Sequence, residues 1–311
     1  MTDPSLENEQ KNGSFSVAAR LYDGLIRTQT RLVRQTKENK PVSVPNISAI
    51  AEKVVSRPER VDALFNEAMF RLHEGDELVL HSVNVFIYSL KLAQGLNYSQ
   101  DRRMELGASA LVMDLGMFML PQAYLAAKQG DLTPKEIDTI KMHPSLGHDL
   151  LSKAGEEYKW LAEVVRQTHE REDGSGYPKK LKGHQIHEYA KILAVADTFV
   201  AMTHNRPYRP ALLGFKAIQE ILHSFKGKFD PRILRLLLTQ LTVFPLKSYV
   251  RLNNGTIGMV VQTNEAMPLN PTIKVLFDGQ GRLVDEEKIM DLGQSPFLHV
   301  TEVVEESDLK R

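Results

Sequence analysis

The spacing of apolar residues changes once along this chain, and that change limits the folds open to it. From residue 75 to about residue 241, apolar residues recur at the three- and four-residue spacing of amphipathic helices. After Pro245 they alternate instead, and Asn253-Asn254-Gly255, between two such stretches, is typical of a tight β-hairpin turn. We therefore expect a mainly α-helical bundle with a small β appendage over residues 246–304.

The first 74 residues divide into two parts. Residues 1–13 lack apolar periodicity, so we expect a disordered tail there. Residues 14–74 are expected to form a helical N-terminal module, with one helix from Ser14 to about Leu32 and a second from Ile47 to about Leu72. This module is too short and too helical for a doubly wound receiver domain, so it does not reveal an input signal.

Composition excludes several functional classes. The 311 residues contain 39 Lys plus Arg and 39 Asp plus Glu, whereas a protein that binds DNA or RNA usually carries a basic excess. We also expect no membrane span and a cytoplasmic location, because no apolar run reaches the roughly 18 residues that a span requires. Since the chain has no cysteine, any chemistry must come from histidine, carboxylate or hydroxyl groups, or from a cofactor.

Histidine and aspartate residues recur through the helical part of the chain, at His81, Asp114, His143, His169 and Asp197. Imidazoles and carboxylates that project from separate helices into a bundle core are suited to binding divalent metal ions. A single histidine on a helix is more often a structural residue, so spacing alone does not decide between the two roles. The local sequence around each residue carries more information.

These local sequences resemble the HD-GYP family, a branch of the HD phosphohydrolases. The stretch from His169 to Pro178 is similar to the family signature HHExxDGxGYP, and the stretch from Ala196 to Arg209 is similar to its AD…AMT…RPYR block. The other similar elements, HSxxVA, HP and G…FDP, stand at His81, His143 and Gly227. The resemblance runs in the family's order and implies an HD-type helical bundle over residues 75–242.

The resemblance also implies a cyclic di-GMP phosphodiesterase that carries two or three metal ions, usually iron or manganese. By position, His81 and Asp197 would bind the first ion, and His143 and His169 would bind the second. Asp114 would bridge both ions and is the candidate catalytic residue. A metal-bound hydroxide would then attack the phosphodiester.

Glu77 is a further candidate, since it lies one helical turn before His81, where some family members place a ligand for a third ion. A solvated acidic side chain is the alternative interpretation.

The residues that would bind the nucleotide are Tyr177, Gly174, Gly176, Arg206 and Arg209. The tyrosine can hydrogen-bond a phosphate or stack near a base, and a guanidinium can bind two phosphate oxygens at once. The glycines permit the backbone angles and the close approach that such a loop needs. The alternative is that these residues only brace the fold.

Three positions depart from the family pattern. Met113 replaces the histidine of the His-Asp doublet, Met117 replaces the lysine of the same block, and Thr168 replaces the first histidine of the HHE element. A thioether is a poor ligand for iron or manganese beside carboxylates, and a hydroxyl is a weak one. We interpret the two methionines, four residues apart, as an apolar helix stripe that fills the core. Each metal group then retains three protein ligands.

The sequence therefore favours a cyclic di-GMP signalling protein with an incomplete metal site. We expect it to be weak or inactive as a phosphodiesterase, and to act by binding the nucleotide or a signalling protein. One divalent ion, held by His81, Asp114 and Asp197 with His169 or Glu77, or no ion at all, is compatible with this hypothesis. An active phosphodiesterase with a sparse metal site is the alternative, and a scaffold without metal or nucleotide is a third. His148 and His204 are the nearby histidines that would substitute for the missing ligands.

Overall fold

The chain folds into two compact units, Met1–Ala211 with Phe225–Ile233, and Leu212–Ser224 with Leu234–Arg311. The computed structural model describes residues 4–70, 75–121, 123–124, 131–204, 212, 214–241, 244, 246–264, 267–304 and 309, without the side chains of 4–16, 70 and 215. The described residues are mostly helical with a small antiparallel sheet near the C-terminus, which confirms the predicted fold class.

The first unit consists of helices. They are α1 (Pro4–Lys37), α2 (Val44–Val55), α3 (Pro58–Phe70), α4 (Glu77–Gln94), α5 (Gln100–Val112), α6 (Pro134–Ile140), α7 (His143–Leu151), α8 (Lys159–Gln167) and α9 (Glu188–Thr203). Short 3-10 helices lie at Leu115–Met119, Glu156–Tyr158 and Gly183–Gln185.

The N-terminal helices differ from the sequence prediction in two ways. Helix α1 begins at Pro4, so the prediction of a disordered tail is wrong for residues 4–13. This segment is rich in Glu, Gln and Lys, which favour helix, and proline is compatible with a first helical turn. The single helix expected from Ile47 is two helices, because Pro58 disfavours helical geometry in the residue before it and begins α3.

Helix α4 lies at the centre of this unit, in contact with α1, α3, α5 and α9. Asp76 caps its start by accepting hydrogen bonds from the backbone N–H groups of Leu78 and Val79. Most of its side chains from Val79 to Ala93 are buried, on more than one face of the helix. A helix that is apolar on several sides must be packed on several sides, so α4 provides a rigid base for the polar residues it carries.

The second unit combines helices α10 (Gly214–Ser224) and most of α11 (Pro231–Gln240) with a five-stranded antiparallel sheet. The strands are β1 (Tyr249–Leu252), β2 (Ile257–Gln262), β3 (Thr272–Phe277), β4 (Leu283–Asp291) and β5 (Val300–Val304), in the spatial order β4-β3-β2-β1-β5. The predicted hairpin joins β1 to β2, and Gly255 in its turn has a φ of 85°, which favours glycine.

The grouping of helices differs from the division expected at residues 242–246, since α10 belongs with the sheet. Apolar periodicity indicates which stretches are helical, but it does not show which apolar faces pack together. None of the helices in the described part of the chain combines the length and hydropathy needed to cross a membrane.

Candidate metal centre

Five polar side chains converge inside the first unit. They lie in the second turn of α4, just after α5, at the start of α7, just after α8 and in the middle of α9: His81, Asp114, His143, His169 and Asp197. Within the described residues they form two groups with metal-ligand spacing, His81–Asp114–Asp197 and Asp114–His143–His169. In each group the three ligand atoms lie within 4.8 Å of one another. Asp114 belongs to both groups, which is the arrangement that the family resemblance implied.

The first group links α4 to α9. Nε2 of His81 lies 2.8 Å from Oδ1 of Asp197 and 3.9 Å from Oδ2 of Asp114. Burial alone would raise the pKa of Asp197, but its hydrogen bond to His81 and the nearby guanidinium of Arg171 hold that pKa well below its usual range. Asp197 is therefore an ionised carboxylate at neutral pH, the form that binds a cation.

The second group is held by a backbone contact. Nδ1 of His143 lies 2.9 Å from the carbonyl oxygen of Ile140, and because a carbonyl can only accept, Nδ1 carries the proton. The other ring nitrogen of His143, Nε2, faces the site, 3.0 Å from Nε2 of His169 and 3.6 Å from Oδ1 of Asp114. A carbonyl that orients a histidine in this way is a common feature of metal sites.

The second histidine of this group is neutral across the physiological pH range. Burial and the neighbouring His143 lower the pKa of His169 to about 3. A neutral imidazole is the form that binds metal, so burial favours the charge state that His169 needs as a ligand.

The donor atoms fit a divalent ion. Two ligand atoms that each lie about 2.1 Å from one ion are separated by roughly 3.0–3.4 Å in octahedral or tetrahedral geometry. The nitrogen–nitrogen separation of 3.0 Å between His143 and His169 is within this range, and the nitrogen–oxygen separations of 2.8 to 3.9 Å lie close to it. Each group supplies three protein donors of the imidazole and carboxylate type.

Gly116, which the sequence analysis did not single out, allows the segment after Asp114 to lie close to the helix that carries His143. A Cβ atom at this position would lie 2.0 Å from the carbonyl oxygen of His143 and 2.8 Å from the backbone nitrogen of Gly147. Only glycine allows the 3-10 helix after Asp114 to approach α7 this closely. The signal in the sequence was a glycine two residues after the aspartate of the HD block.

The loop after His169 is organised by its own backbone. The buried carboxylate of Glu170 accepts hydrogen bonds from the backbone N–H groups of Lys179, at 2.6 Å, and Leu181, at 2.9 Å. Gly174 has a φ of 80°, and a Cβ on Gly176 would lie 2.5 Å from backbone atoms of residues 169–171. The two glycines therefore satisfy a requirement of the loop fold itself.

Tyr177 contacts the candidate ligands directly. Its ring lies parallel to the ring of His169, at an angle of 4° with 5.0 Å between centroids, and edge-on to His143 at 6.4 Å. Burial raises the pKa of Tyr177 above its usual range, so its hydroxyl remains a hydrogen-bond donor at neutral pH. The stacking fixes the plane of the His169 ring.

Two of the three substituted positions, Met113 and Thr168, are buried. The side chain of Met113 is fully buried, and the hydroxyl of the buried Thr168 donates to the carbonyl oxygen of Val165 at 3.0 Å. The interpretation of Met113 and Met117 as one helix stripe is wrong, because α5 ends at Val112 and a 3-10 helix begins at Leu115. Met113 is a core residue, whereas Met117 is only half-buried.

The remaining candidates from the sequence lie apart from both groups or outside the described residues. Glu77 is exposed in the first turn of α4 and belongs to neither group. Nδ1 of His148 lies 3.0 Å from Asp149, and Nε2 of His204 lies 2.8 Å from the side-chain nitrogen of Asn84, so neither substitutes for a missing ligand. The proposed phosphate clamps, Arg206 and Arg209, fall in the segment 205–211, which the structure does not describe.

Comparison with known families gives two matches along the chain. Residues 51–233 match the family described as HD domain, which is more than half of the chain. Residues 249–311 match the family described as KOW domain associated with HD domain, which covers the C-terminal sheet.

Similar proteins of known name come from several bacteria. The chain is 31% identical over 229 residues to cyclic di-GMP phosphodiesterase PA4108 of Pseudomonas aeruginosa, a match covering 73% of this chain and 55% of that protein. It is 35% identical over 160 residues to a cyclic di-GMP phosphodiesterase of Thermotoga maritima, covering 51% of this chain and 43% of that protein. The chain thus spans about half the length of these relatives.

A solved structure shares the fold. Bd1817, a HDG"Y"P protein from Bdellovibrio bacteriovorus, superposes with a TM-score of 0.56 at 19% identity, and the match covers 70% of each chain. Together with the match to the family and the motifs at His81, His143 and His169, this likeness identifies the chain as a member of the HD domain family, in its HD-GYP branch.

Proposed function

We propose that this chain is a cyclic di-GMP signalling protein whose metal centre is incomplete, so that it hydrolyses the nucleotide slowly or not at all. It would then act by binding the nucleotide or a partner protein. The named relatives are cyclic di-GMP phosphodiesterases, and they supply the nucleotide class.

The side chains at two substituted positions carry the proposal. The thioether of Met113 is buried in the core, and the hydroxyl of Thr168 is engaged by a helix carbonyl. Each group therefore has three donors, where the family pattern supplies one further imidazole to each. Even the loss of an outer hydrogen-bond partner commonly weakens metal binding by about 10–100-fold, so the loss of a ligand should cost at least as much.

The candidate residues of this chain would have the following roles. His81, Asp114 and Asp197 would hold one divalent ion, iron or manganese, and Asp114, His143 and His169 would form a second position, weaker because it has one carboxylate where the first has two. A bound ion of this kind acidifies its water and stabilises charge on a phosphate. The hydroxyl of Tyr177 would donate a hydrogen bond to the nucleotide, and Arg206 and Arg209 are the proposed phosphate ligands.

Met117 stands where the family has a lysine, and its side chain is neutral. One positive charge beside the phosphate is therefore missing. This loss acts on hydrolysis more than on binding, since negative charge increases on the phosphate oxygens as the nucleophile attacks, and on the leaving oxygen as its bond to phosphorus breaks. We therefore expect nucleotide binding to be kept and nucleotide hydrolysis to be reduced.

The test is to restore the family residues and to measure hydrolysis. We expect wild-type protein with added Mn²⁺ or Fe²⁺ to convert cyclic di-GMP to the linear dinucleotide at least about tenfold more slowly than the Met113→His/Met117→Lys/Thr168→His variant. The same triple variant with Asp114→Ala is the matched control and should be inactive. Equal turnover by wild type and the triple variant would contradict the proposal.

An active phosphodiesterase with a single ion is the second candidate, and the donor count supports it. Three protein ligands with an open position is the usual arrangement of catalytic zinc sites, so three donors do not by themselves prevent catalysis. This candidate predicts that wild-type protein hydrolyses cyclic di-GMP with one bound ion, and that Asp197→Ala abolishes the activity. Unchanged turnover in Asp197→Ala would exclude it.

A further inference from the structure

Arg171 lies between two groups of the candidate site, two residues after His169 and six residues before Tyr177. It occupies an unspecified position of the HHExxDGxGYP signature, so the motif does not determine its side chain. The side chain is half-buried, although a charged group loses hydration when it is buried. A half-buried cation next to these residues is a candidate for a role in the site.

Contacts on two sides set the position of the Arg171 guanidinium. Nη1 donates hydrogen bonds to the carbonyl oxygens of Thr168, at 3.3 Å, and Glu170, at 2.9 Å, just after the end of α8. The central carbon of the guanidinium lies 5.0 Å from the ring centroid of the buried Phe229, within the range of a cation–π contact. The group is therefore held against the protein at the residues that flank His169.

The backbone of the loop brings Tyr177 to the same place. The N–H of Tyr177 donates to the carbonyl oxygen of His169 at 3.1 Å. A Cβ on Gly176 would lie 2.5 Å from the backbone nitrogen of Arg171. Residues 169–171 and 176–177 are thus in direct contact, so the loop places a cation beside the candidate ligand and the tyrosine.

The charge of Arg171 acts on the candidate metal centre. Burial lowers the pKa of Arg171, and among the negative groups that oppose this shift Asp197 acts most strongly. In return, the charge of Arg171 adds to the effect of His81 in lowering the pKa of Asp197, and it opposes the rise that burial causes in the pKa of Tyr177. Because an arginine stays protonated in proteins, a permanent positive charge lies beside these groups.

Arg171 has hydrogen-bonding capacity left for a ligand. A guanidinium carries five N–H groups, of which Nη1 supplies two. For Nε and Nη2 of Arg171, the described part of the chain provides no acceptor. The planar fork of these two nitrogens matches two oxygens of a phosphate, whereas the same charge repels a divalent cation. One side chain therefore acts in opposite directions on the two ligands of the site.

We propose that Arg171 binds a phosphate group of the nucleotide, and that its charge weakens the binding of a divalent ion at Asp197. The chain then has a cation for the phosphate on the side of the GYP loop, although Met117 is neutral. This arrangement favours nucleotide binding over metal binding, in keeping with an incomplete metal centre. The identity of the nucleotide in this inference rests on the proposed function.

The experiment compares three variants of the full chain with wild type. Arg171→Gln removes the charge, and Arg171→Lys keeps the charge but loses the planar fork. Lys180→Gln is the matched control, because it removes one positive charge from an exposed side chain of the same loop. Calorimetry measures the affinity for Mn²⁺ without nucleotide. It also measures the affinity for cyclic di-GMP at saturating Mn²⁺, so that a change in ion affinity does not enter the second value.

We expect Arg171→Gln to weaken cyclic di-GMP binding by at least about tenfold, the usual effect of losing a hydrogen bond to a charged group. The same variant should bind Mn²⁺ about 3–10-fold more tightly, because one repelling charge is gone. Arg171→Lys should bind Mn²⁺ as wild type does and bind the nucleotide about 3–10-fold more weakly. Lys180→Gln should match wild type in both. If Arg171→Gln does not fold, Arg171→Lys decides.

The opposite directions separate this role from a structural one. A residue that only braces the loop would lower both affinities when it is replaced. Mn²⁺ binding that is unchanged or weaker in Arg171→Gln would therefore overturn the inference, and so would unchanged cyclic di-GMP affinity in Arg171→Gln or Arg171→Lys. These results leave the proposed function standing as long as wild type binds the nucleotide. If wild type binds no cyclic di-GMP, the nucleotide part of the proposed function fails, and this inference fails with it.

Discussion

The loop over residues 169–181 and the segment over residues 113–119 border the same site, but they are held by different forces. The loop depends on its motif residues for its own fold, since Glu170 accepts two of its backbone N–H groups and Gly176 contacts backbone atoms. In the segment, backbone proximity at Gly116 sets the geometry. That close approach is between Gly116 and the backbone of His143 and Gly147, and not through the side chains of Met113 and Met117.

This difference shows which motif residues indicate catalytic activity and which indicate only the fold. A residue that folds its own loop is retained for stability whether or not catalysis continues. A residue whose only use is to bind an ion or a phosphate can change freely once that use is lost. The intact GYP stretch is therefore weak support for phosphodiesterase activity, and the changes at Met113, Met117 and Thr168 carry more information.

The largest effect is expected from Asp114→Ala, because Asp114 is the one residue common to both groups. Its loss leaves two donors in each, and we expect Mn²⁺ affinity to fall by at least about 100-fold, above the range for losing an outer-sphere partner. Isothermal titration calorimetry with Mn²⁺ checks this. Metal affinity that survives in Asp114→Ala would mean that the segment after α5 is not part of the metal site.

Glu170→Ala tests the loop over residues 169–181, and we expect it to lower the stability of the fold. The substitution leaves the backbone N–H groups of Lys179 and Leu181 without their buried acceptor, which we expect to lower the free energy of unfolding by about 2 kcal/mol. Chemical denaturation measures it, with Asp173→Ala as the exposed control in the same loop. If Glu170→Ala is as stable as Asp173→Ala, the loop does not depend on its motif carboxylate.

Met113→Leu, in the segment over residues 113–119, should change neither the stability nor the metal affinity by much. The two side chains are similar in volume, so a buried exchange should cost less than about 1.5 kcal/mol of unfolding free energy. Since the proposal gives the sulfur no role as a ligand, Mn²⁺ affinity should stay as in wild type. A clear loss of metal affinity in Met113→Leu would identify the thioether as a ligand.

Glu77→Ala is expected to have the smallest effect. Glu77 is exposed in the first turn of α4 and lies outside both donor groups, so the number of ions bound and their affinity should not change. Metal titration followed by elemental analysis checks this. Loss of one bound ion in Glu77→Ala would instead support the third-ion role that the family resemblance implied.

Much of the fold and of the ligand grouping could be predicted from the sequence. The change in apolar periodicity near residue 245 predicted the helical and β parts, and the motifs placed His81 with Asp197, and His143 with His169, around Asp114. These features are local in sequence, or they are carried by family motifs with a fixed order. They do not require knowledge of how the faces pack.

Features that depend on packing could not be predicted. The carbonyl of Ile140 that orients His143, the close approach at Gly116 and the contact of Tyr22 with Asn84 join residues through the backbone or across helices. The prediction that the two methionines form one helix stripe was wrong, because it assumed one continuous helix through Met113. A helix end inside an apolar stretch leaves no clear sign in the spacing.

The stoichiometry of bound metal tests the central claim most directly. Full-length wild-type protein, saturated with Mn²⁺ or Fe²⁺ without oxygen and then dialysed, is analysed by inductively coupled plasma mass spectrometry. The account predicts at most one ion per chain in wild type and two in Met113→His/Met117→Lys/Thr168→His. Two tightly held ions per wild-type chain would contradict it.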